Sequence, residues 1–431
     1  MKLSKRILAA ALPVALLVGV VTPVTSSAAD TEVTVLADNG SNTQTVMAAL
    51  IAAFEKANPT IKVKLNLRPG GADGDNLVKT KLATGEMEDV FVYNSGSLFQ
   101  ALAPQKNLLD MTNEPFMKNV ISSYFPVVSA GKKVYGIPFG TATGGGILYN
   151  KKVYAKLGLK VPTTWDQFMA NNKKIKAAGI DPVIQSYKDT WTSQLFVLAD
   201  YYNVQAAYPN FAADYTAGKM KYATNKAAIR GFQYLEDVKK AGYLNRDFAS
   251  TTYDQALDKL AKGTGAHYPM ATWAAPSIAA ANPDKLNDVG FFAQPGPDAK
   301  KNGITVWVPS GAYIPAAAKN VSGAKAFVAF LTTAKAIDVM NSVDGFAGGP
   351  YYIKNANIPN ALPPMIQDLL PYFKTSATNA PALEFVSPIK GPNLEKITVE
   401  VGSGITTAKK GAAAYDADVV KQAKQLGLKG W

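Results

Sequence analysis

The chain of 431 residues contains no cysteine and a single histidine, His267. Without cysteine it cannot form a disulfide, a thiolate nucleophile or a thiolate metal site. One histidine excludes an H-E-x-x-H zinc site, and a Ser-His-Asp triad would depend on His267 alone. We expect His267 to be structural, and we expect no catalytic residue, metal or other cofactor.

Arginine is also scarce, since only Arg6, Arg68, Arg230 and Arg246 are present among 45 basic residues. The lysines are scattered singly or in doublets, although the net charge is +13. Recognition of nucleic acid favours clustered arginine, so we expect no nucleic-acid partner. The same scarcity favours an uncharged ligand over a phosphate or a carboxylate.

The first 29 residues have the pattern of a secretory signal peptide. Three basic residues precede an apolar run over 7–21, and small residues over 27–29 fit a cleavage site. Removal of this segment lowers the net charge from +13 to +10, because it contains three lysines and arginines. We therefore expect an exported protein that is periplasmic, or extracellular and associated with the cell surface.

After this segment the chain alternates strand and helix patterns, which predicts an α/β fold with a mainly parallel sheet. The first predicted elements are strand 33–36, a helix through 46–54, strand 61–67, a Gly-rich loop over 68–76, a helix over 77–84 and strand 90–93.

Further along the chain, Thr164 and Gln167 have the spacing of a helix capping box, and Gly179 is placed to end that helix. The glycines at 144–146 are expected to give the backbone freedom. Later predictions are β structure over 304–314 and helices over 364–373 and 417–426.

The stretch over 134–183 reads VYGIPFGTATGGGILYNKKVYAKLGLKVPTTWDQFMANNKKIKAAGIDPV. Its G-I-P turn, L-Y-N-K strand end, L-G-L spacer and P-T-T-W-D-Q-F helix start resemble family 1 extracellular solute-binding proteins of ABC importers. This group includes the maltose-binding type. Weaker similarities at 85–90, 289–297 and 324–331 extend the resemblance over most of the chain.

The resemblance implies two α/β lobes of the type II periplasmic-binding-protein fold, with the ligand cleft between them. The first lobe would contain 30–141 and about 303–345, and the second about 142–302 and 346–431. Crossing hinge segments would lie near 139–144, 301–305 and 343–350. By resemblance the protein is not an enzyme but a monomeric receptor that captures a carbohydrate by hinge closure and delivers it to an ABC transporter permease.

The chain departs from this family in one respect. Members from bacteria with a single membrane usually carry a lipid on a cysteine just after the signal sequence, and this chain has no cysteine. A periplasmic location, release from the cell and retention by other contacts all remain open.

Aromatic side chains are candidates for stacking on the apolar faces of a sugar ring. Trp273 follows a predicted strand, Trp191 begins a predicted helix and Trp307 lies in a crossing strand. Phe346 lies in the permissive loop Gly345–Gly349. Trp165 is expected to pack in the core instead.

Polar residues at predicted strand ends are candidates for binding sugar hydroxyl groups. Asp38 and Asn39 follow the first strand, although an Asp-Asn-Gly turn explains them equally well. The remaining candidates are Asn94 and Ser95 after the third strand and Thr141 and Thr143 at the first crossing.

Three other functions remain open. The tyrosine pairs Tyr201–Tyr202 and Tyr351–Tyr352 resemble those of ferric-iron receptors, which would make iron the ligand, and a polyamine is a further alternative ligand. A glycan hydrolase needs only two opposed carboxylates, which any of the 32 acidic residues could supply. A cell-wall adhesion protein would bind insoluble wall material.

Overall fold

A computed structural model describes residues 31–346, 348–357 and 361–431. The expected signal peptide, 1–29, lies outside the described residues. Strands and helices alternate along the described chain, as the α/β prediction requires. The strands are β1 (Thr31–Asp38), β2 (Ile61–Arg68), β3 (Val90–Tyr93), β4 (Ser129–Ala130), β5 (Lys133–Val134), β6 (Gly136–Phe139), β7 (Thr143–Asn150), β8 (Asp181–Val183), β9 (Gly265–Ala271), β10 (Val289–Ala293), β11 (Ile304–Trp307), β12 (Ser310–Tyr313) and β13 (Asn379–Pro381).

The α-helices range from single turns to 18 residues. They are α1 (Ser41–Ala57), α2 (Gly71–Thr84), α3 (Ser97–Gln100), α4 (Pro104–Asn107), α5 (Lys151–Lys156), α6 (Trp165–Ala177), α7 (Leu195–Leu198), α8 (Tyr201–Ala207), α9 (Phe211–Thr216), α10 (Arg230–Lys240), α11 (Tyr253–Lys262), α12 (Ala274–Ala281), α13 (Val321–Leu331), α14 (Ala334–Asp344), α15 (Pro364–Leu369), α16 (Leu383–Val386), α17 (Leu394–Gly402) and α18 (Ala408–Gln425). Short 3-10 helices cover Pro115–Asn119, Ser122–Val128, Thr190–Gln194, Pro283–Asp288, Leu370–Lys374 and Ser376–Thr378.

The first lobe is built on a five-stranded sheet with the order β2-β1-β3-β12-β6. β1 is parallel to both β2 and β3, as the spacing of the predicted strands implies. β12 comes from much later in the chain and lies antiparallel between β3 and β6. Helices α1 and α13 pack against this sheet, with Phe54 against Phe327 at a ring distance of 5.1 Å.

The second lobe is built on a sheet with the order β13-β11-β7-β9-β8, in which β10 also pairs with β7. β7 is its central strand, because β9 lies on one side and both β10 and β11 lie on the other. The molecule therefore has two α/β lobes, each with its own sheet and core.

The three glycines in β7 have a different role from the expected one. Gly144, Gly145 and Gly146 have no positive φ, so none of them needs the backbone freedom of glycine. A Cβ on Gly145 would collide with the indole ring of Trp307, and one on Gly144 would collide with the end of Leu369. These glycines are present because neighbouring side chains lie directly on the strand backbone.

The chain crosses between the sheets at Gly140–Ala142, within the expected first hinge segment. The second crossing lies at Val308–Pro309 and not near 301–305, because β11 pairs with β7 and remains in the second sheet. The third crossing between the lobes also differs from the expected one. Ile353 pairs with Val120 in the first lobe, so the first lobe extends beyond the expected boundary at 345.

The start of α6 has the predicted cap with one difference. The Thr164 hydroxyl accepts a hydrogen bond from the Gln167 backbone N–H at 3.3 Å, and Gly179 has the left-handed φ of +76°. The reciprocal bond is displaced by one residue, since Oε1 of Gln167 accepts the backbone N–H of Thr163 at 2.9 Å.

Three helix boundaries were predicted wrongly. α2 begins at Gly71 and not at residue 77, because Gly74 can lie against the Pro69 carbonyl where any side chain would collide. α15 ends at Leu369, since Pro371 lacks the N–H that would continue it and a 3-10 helix follows. α18 begins at Ala408, nine residues before the predicted start, where the Thr407 hydroxyl caps it.

No single helix within the described ranges is long and apolar enough to cross a membrane. The bent pair α13 and α14 has sufficient length and composition when taken together. Its apolar side chains, including Phe327, Leu331 and Ile337, are buried in the core of the first lobe.

His267 is fully buried in the second lobe. Its Nε2 lies 2.6 Å from the Tyr154 hydroxyl, and its Nδ1 lies 2.9 Å from both Oδ1 of Asn172 and the Pro182 carbonyl. Because both neighbours of Nδ1 are acceptors, we assign the proton to Nδ1. Burial lowers the pKa of His267 to about 3, even though the bond to Pro182 acts in the opposite direction. The residue is a satisfied core histidine.

We predict that His267 makes the fold sensitive to acid. The unfolded chain binds a proton at His267 below pH about 6.5, whereas the folded chain does not until about pH 3. This residue should therefore lower the free energy of unfolding by about 1.4 kcal/mol per pH unit as the pH falls through that window. His267→Gln should remove this slope in urea unfolding between pH 6.5 and 5. An unchanged slope would contradict the assignment.

Asp200 is a buried acid with the opposite pH dependence. Its Oδ1 accepts a hydrogen bond from Nδ2 of Asn203 at 2.7 Å, while its Oδ2 has no partner in the described part of the chain. Burial raises the pKa of Asp200 to about 7, partly offset by bonds from Asn203 and Gln294. Oε1 of Gln294 is likewise buried without a partner among the described residues.

We predict that Asp200→Asn stabilises the protein at alkaline pH. The folded carboxyl stays protonated up to about pH 7, whereas the unfolded one ionises near 3.8, so this stabilisation is lost as the pH rises between these values. The variant should be more stable than the wild type at pH 8 by up to about 4 kcal/mol in urea unfolding. Asp284→Asn, at an exposed site, should show no such gain.

Candidate ligand-binding cleft

Two parallel strands of the first lobe bring polar residues to the sheet edge that faces the second lobe. β1 ends at Asp38, and β3 ends just before Asn94 and Ser95. Asn39 and Asn94 are exposed there, while Asp38 accepts the Gly40 N–H at 3.0 Å. The Ser95 hydroxyl is buried and donates to the Pro309 carbonyl at 2.9 Å, so it binds the second crossing segment.

The three tryptophans that are candidates for stacking on a sugar lie together on the second lobe. The ring of Trp273 lies 6.4 Å from that of Trp191 and 5.6 Å from that of Trp307, the latter at an interplanar angle of 88°. Trp307 is supported from below by Gly145 of β7. Trp191 and Trp273 are half-buried, so parts of both rings remain accessible.

The first lobe approaches this tryptophan cluster closely. A Cβ on Gly70 would lie 3.9 Å from Nε1 of Trp191, and one on Gly71 would lie 3.1 Å from Oε2 of Glu395. Burial raises the pKa of Tyr253, which packs on Trp191, and the charge of Asp38 on the facing lobe adds to this effect. The two lobes therefore meet across the cleft.

Charged side chains from both lobes meet beside the tryptophans. From the second lobe, Glu384 binds Nζ of Lys390 at 3.0 Å, and Glu395 accepts the Thr190 hydroxyl at 2.7 Å. Burial would lower the pKa of Lys390, but the charges of Glu384 and of Asp75 on the first lobe raise it above its ordinary value. Burial, reinforced by Asp75, likewise raises the pKa of Glu395.

Arg68 and Tyr93 complete this charged group on the first lobe. The guanidinium lies 5.4 Å from the centre of the Tyr93 ring and donates to the Pro69 carbonyl at 3.0 Å. Nε of Arg68 and the Tyr93 hydroxyl are both buried without a partner in the described ranges. Burial raises the pKa of Tyr93, and the charge of Asp75 raises it further. Nε of Arg68 is therefore a hydrogen-bond donor that remains unused among the described residues.

The other predicted residues lie at the crossing segments. Thr141 pairs with Tyr351 in an isolated bridge, and Thr143 is buried at the start of β7 opposite Trp307. Phe346 is only 4% exposed and belongs to the same packed cluster as Trp307, so its ring is largely enclosed by protein.

Trp165, Tyr202 and Tyr351 make structural contacts within the protein. Trp165 stacks on Tyr234 at a ring distance of 3.8 Å, as core packing requires. The Tyr202 hydroxyl donates to the Ala377 carbonyl at 2.6 Å, and the Tyr351 hydroxyl donates to Asn341 at 2.7 Å. One tyrosine hydroxyl of each pair therefore has a structural partner.

Two cavities lie away from the cleft and contain none of the predicted site residues. One of about 350 Å³ lies near the amino-terminal ends of β1 and β3, between Glu88 and Asn320. The other, of about 200 Å³, lies at the far end of β7, between Asn150 and Lys285.

Sequence reasoning missed Arg68, Asp75, Glu384, Lys390 and Glu395. Arg68 ends β2, beside the ends of β1 and β3, and its position at a strand end was the available signal. Asp75 was assigned to a loop although it lies in α2. The other three come from the last fifth of the chain, where no sequence pattern links them to the cleft.

The fold and the cleft agree with a match to a known family. Residues 38–338 match the family model described as bacterial extracellular solute-binding protein. The chain belongs to this family. The match spans both sheets, from the end of β1 to α14.

Individual relatives agree with this membership. The chain is 30% identical over 304 residues to the multiple sugar-binding protein of Streptococcus mutans, covering 69% of this chain and 70% of that one. A chitin oligosaccharide binding protein superposes with a TM-score of 0.80 at 21% identity, covering 92% and 100% of the two chains. The binding protein RafE in complex with raffinose gives 0.74 at 23% identity, covering 91% and 99%.

Proposed function

We propose that this protein captures a carbohydrate between its lobes and delivers it to the permease of an ABC transporter. The observation that carries the proposal is the cluster of Trp191, Trp273 and Trp307 at the cleft. Aromatic rings stack on the apolar faces of sugars, and polar groups bind their hydroxyls. The names of the multiple sugar-binding protein, the chitin oligosaccharide binding protein and RafE with raffinose support the same ligand class.

The hydroxyl-binding groups would come from the first lobe. Asp38, Asn39 and Asn94 lie at strand ends that face the tryptophans, and Arg68 has an unpartnered buried Nε among the described residues. A sugar stacked on the second lobe and bound by these groups would contact both lobes only when they are closed. Its extra contacts would stabilise the closed form.

The hinge would consist of the crossing segments at Gly140–Ala142 and Val308–Pro309 and the described residues between α14 and α15. Permease subunits would recognise the closed form of an exported, monomeric receptor at the cell surface or in a periplasm. No enzymatic step is required by this mechanism. A glycan hydrolase would instead turn over a chromogenic glycoside, which provides a direct check.

We predict that sugars stabilise the chain from residue 30 onward against heat. The panel contains raffinose, stachyose and chitin oligosaccharides, with ferric iron and spermidine as rival ligands. A sugar at 100 times its dissociation constant should add about 2.7 kcal/mol to the free energy of unfolding. A clear shift with iron or spermidine and none with any sugar would refute the proposal.

Trp273→Ala is predicted to weaken sugar binding by about 2 kcal/mol, which is roughly 30-fold in the dissociation constant. The reason is the loss of the central ring of the cluster. Trp431→Ala is the matched control, because Trp431 packs on Tyr215. Calorimetric titration with raffinose should separate the two variants, and equal effects would remove Trp273 from the site.

A further inference from the structure

α16 contacts the first lobe and Trp307 at the same time. The carboxylate of Glu384 accepts the hydrogen bond from Nε1 of Trp307 at 2.7 Å through Oε1 and binds Nζ of Lys390 at 3.0 Å through Oε2. The Glu384 and Lys390 side chains are only 11% and 14% exposed. Because both carboxylate oxygens are engaged, the plane of the Trp307 ring is fixed by Glu384 on one side and by Gly145 below.

The backbone of the same short helix rests on the opposite lobe. A Cβ on Gly96 would collide with the carbonyl oxygen of Glu384. It would also lie 2.8 Å from Cδ1 of Phe385. Phe385 packs against the apolar cores of both lobes. Gly96, at φ +71°, precedes α3, so the two lobes contact each other through α3 and α16.

We propose that α16 couples closure of the lobes to the orientation of Trp307, with Glu384 as the positioning residue. This inference rests on the proposed function for its purpose, since Trp307, itself buried, would support Trp273 in the sugar platform. When the lobes separate, α16 loses its support at Gly96, and Lys390 loses the nearby charge of Asp75. The carboxylate then no longer holds the indole in the orientation of the closed form.

The indole N–H signals of ¹⁵N-tryptophan-labelled protein test this coupling without any ligand. The five tryptophans give five signals, and the Trp307 signal is the one lost in Trp307→Phe. A hydrogen bond to a carboxylate moves this proton downfield. We expect Glu384→Ala to move it upfield and Glu384→Gln, which retains an acceptor oxygen, to restore much of the shift. Glu236→Gln, which disrupts the pair with Lys240 on α10, is the control and should leave it unchanged.

A second variant opens the lobes without touching Glu384. Gly70 has an ordinary φ of −77°, and its Cβ position faces Trp191, so Gly70→Leu places a wedge between the lobes. We expect a larger radius of gyration in solution scattering together with a displaced Trp307 signal. Asn76→Leu, at an exposed position of α2, should change neither.

Three results would overturn the coupling. They are an expanded Gly70→Leu protein with an unmoved Trp307 signal, a Gly70→Leu protein in which neither quantity changes, and a Glu384→Ala protein with the wild-type signal. Raffinose titration is read separately, with binding to Glu384→Ala expected to be weaker by about tenfold. If raffinose does not bind the wild type, the proposed function fails for that sugar, while the scattering and indole signals still decide the coupling.

Discussion

The packing of Trp307 on the glycine backbone of β7 is the contact on which both the second sheet and the cleft depend. β7 holds β9, β10 and β11 in register, and it follows directly from the first crossing between the lobes. A side chain at Gly145 would displace Trp307, which in turn contacts Trp273 and Glu384. Three successive glycines in one strand therefore determine where the aromatic platform can pack on the second sheet.

The charged groups beside this platform are arranged to offset the cost of burying them. An isolated buried charge is expensive, and removing one partner of a pair leaves the other uncompensated. Lys390 forms an ion pair with Glu384, and the charge of Asp75 raises the pKa of Lys390 further, while the Thr190 hydroxyl binds Glu395. The charge of Asp75 acts on both from the other lobe: it favours the ammonium of Lys390 and disfavours the ionised form of Glu395. The tryptophans offer the apolar surface beside these charges.

The sequence predicted the fold better than it predicted the cleft. The parallel β1–β2–β3 unit and the cap of α6 follow from local periodicity and capping chemistry. The break between β11 and β12 could not be predicted, because 304–314 is one continuous β pattern and only long-range pairing assigns its halves to different sheets.

The aromatic candidates lie together, whereas the polar candidates are spread over strand ends and crossing segments. Trp273 follows β9 and its ring contacts those of both Trp191 and Trp307. The buried charges were missed because no motif or predicted strand end lies next to Glu384 or Lys390 in the sequence. Their role depends on which lobe their neighbours belong to, and a linear pattern does not contain that information.

The position of β12 late in the sequence delays completion of the first sheet during folding. This strand, residues 310–313, lies between β3 and β6, which end at residues 93 and 139. The first lobe therefore cannot complete its sheet until more than 300 residues are available, and closing such long loops costs entropy before any contact is gained. A growing chain would remain without a finished domain for most of its synthesis, and both lobes would mature together near the end.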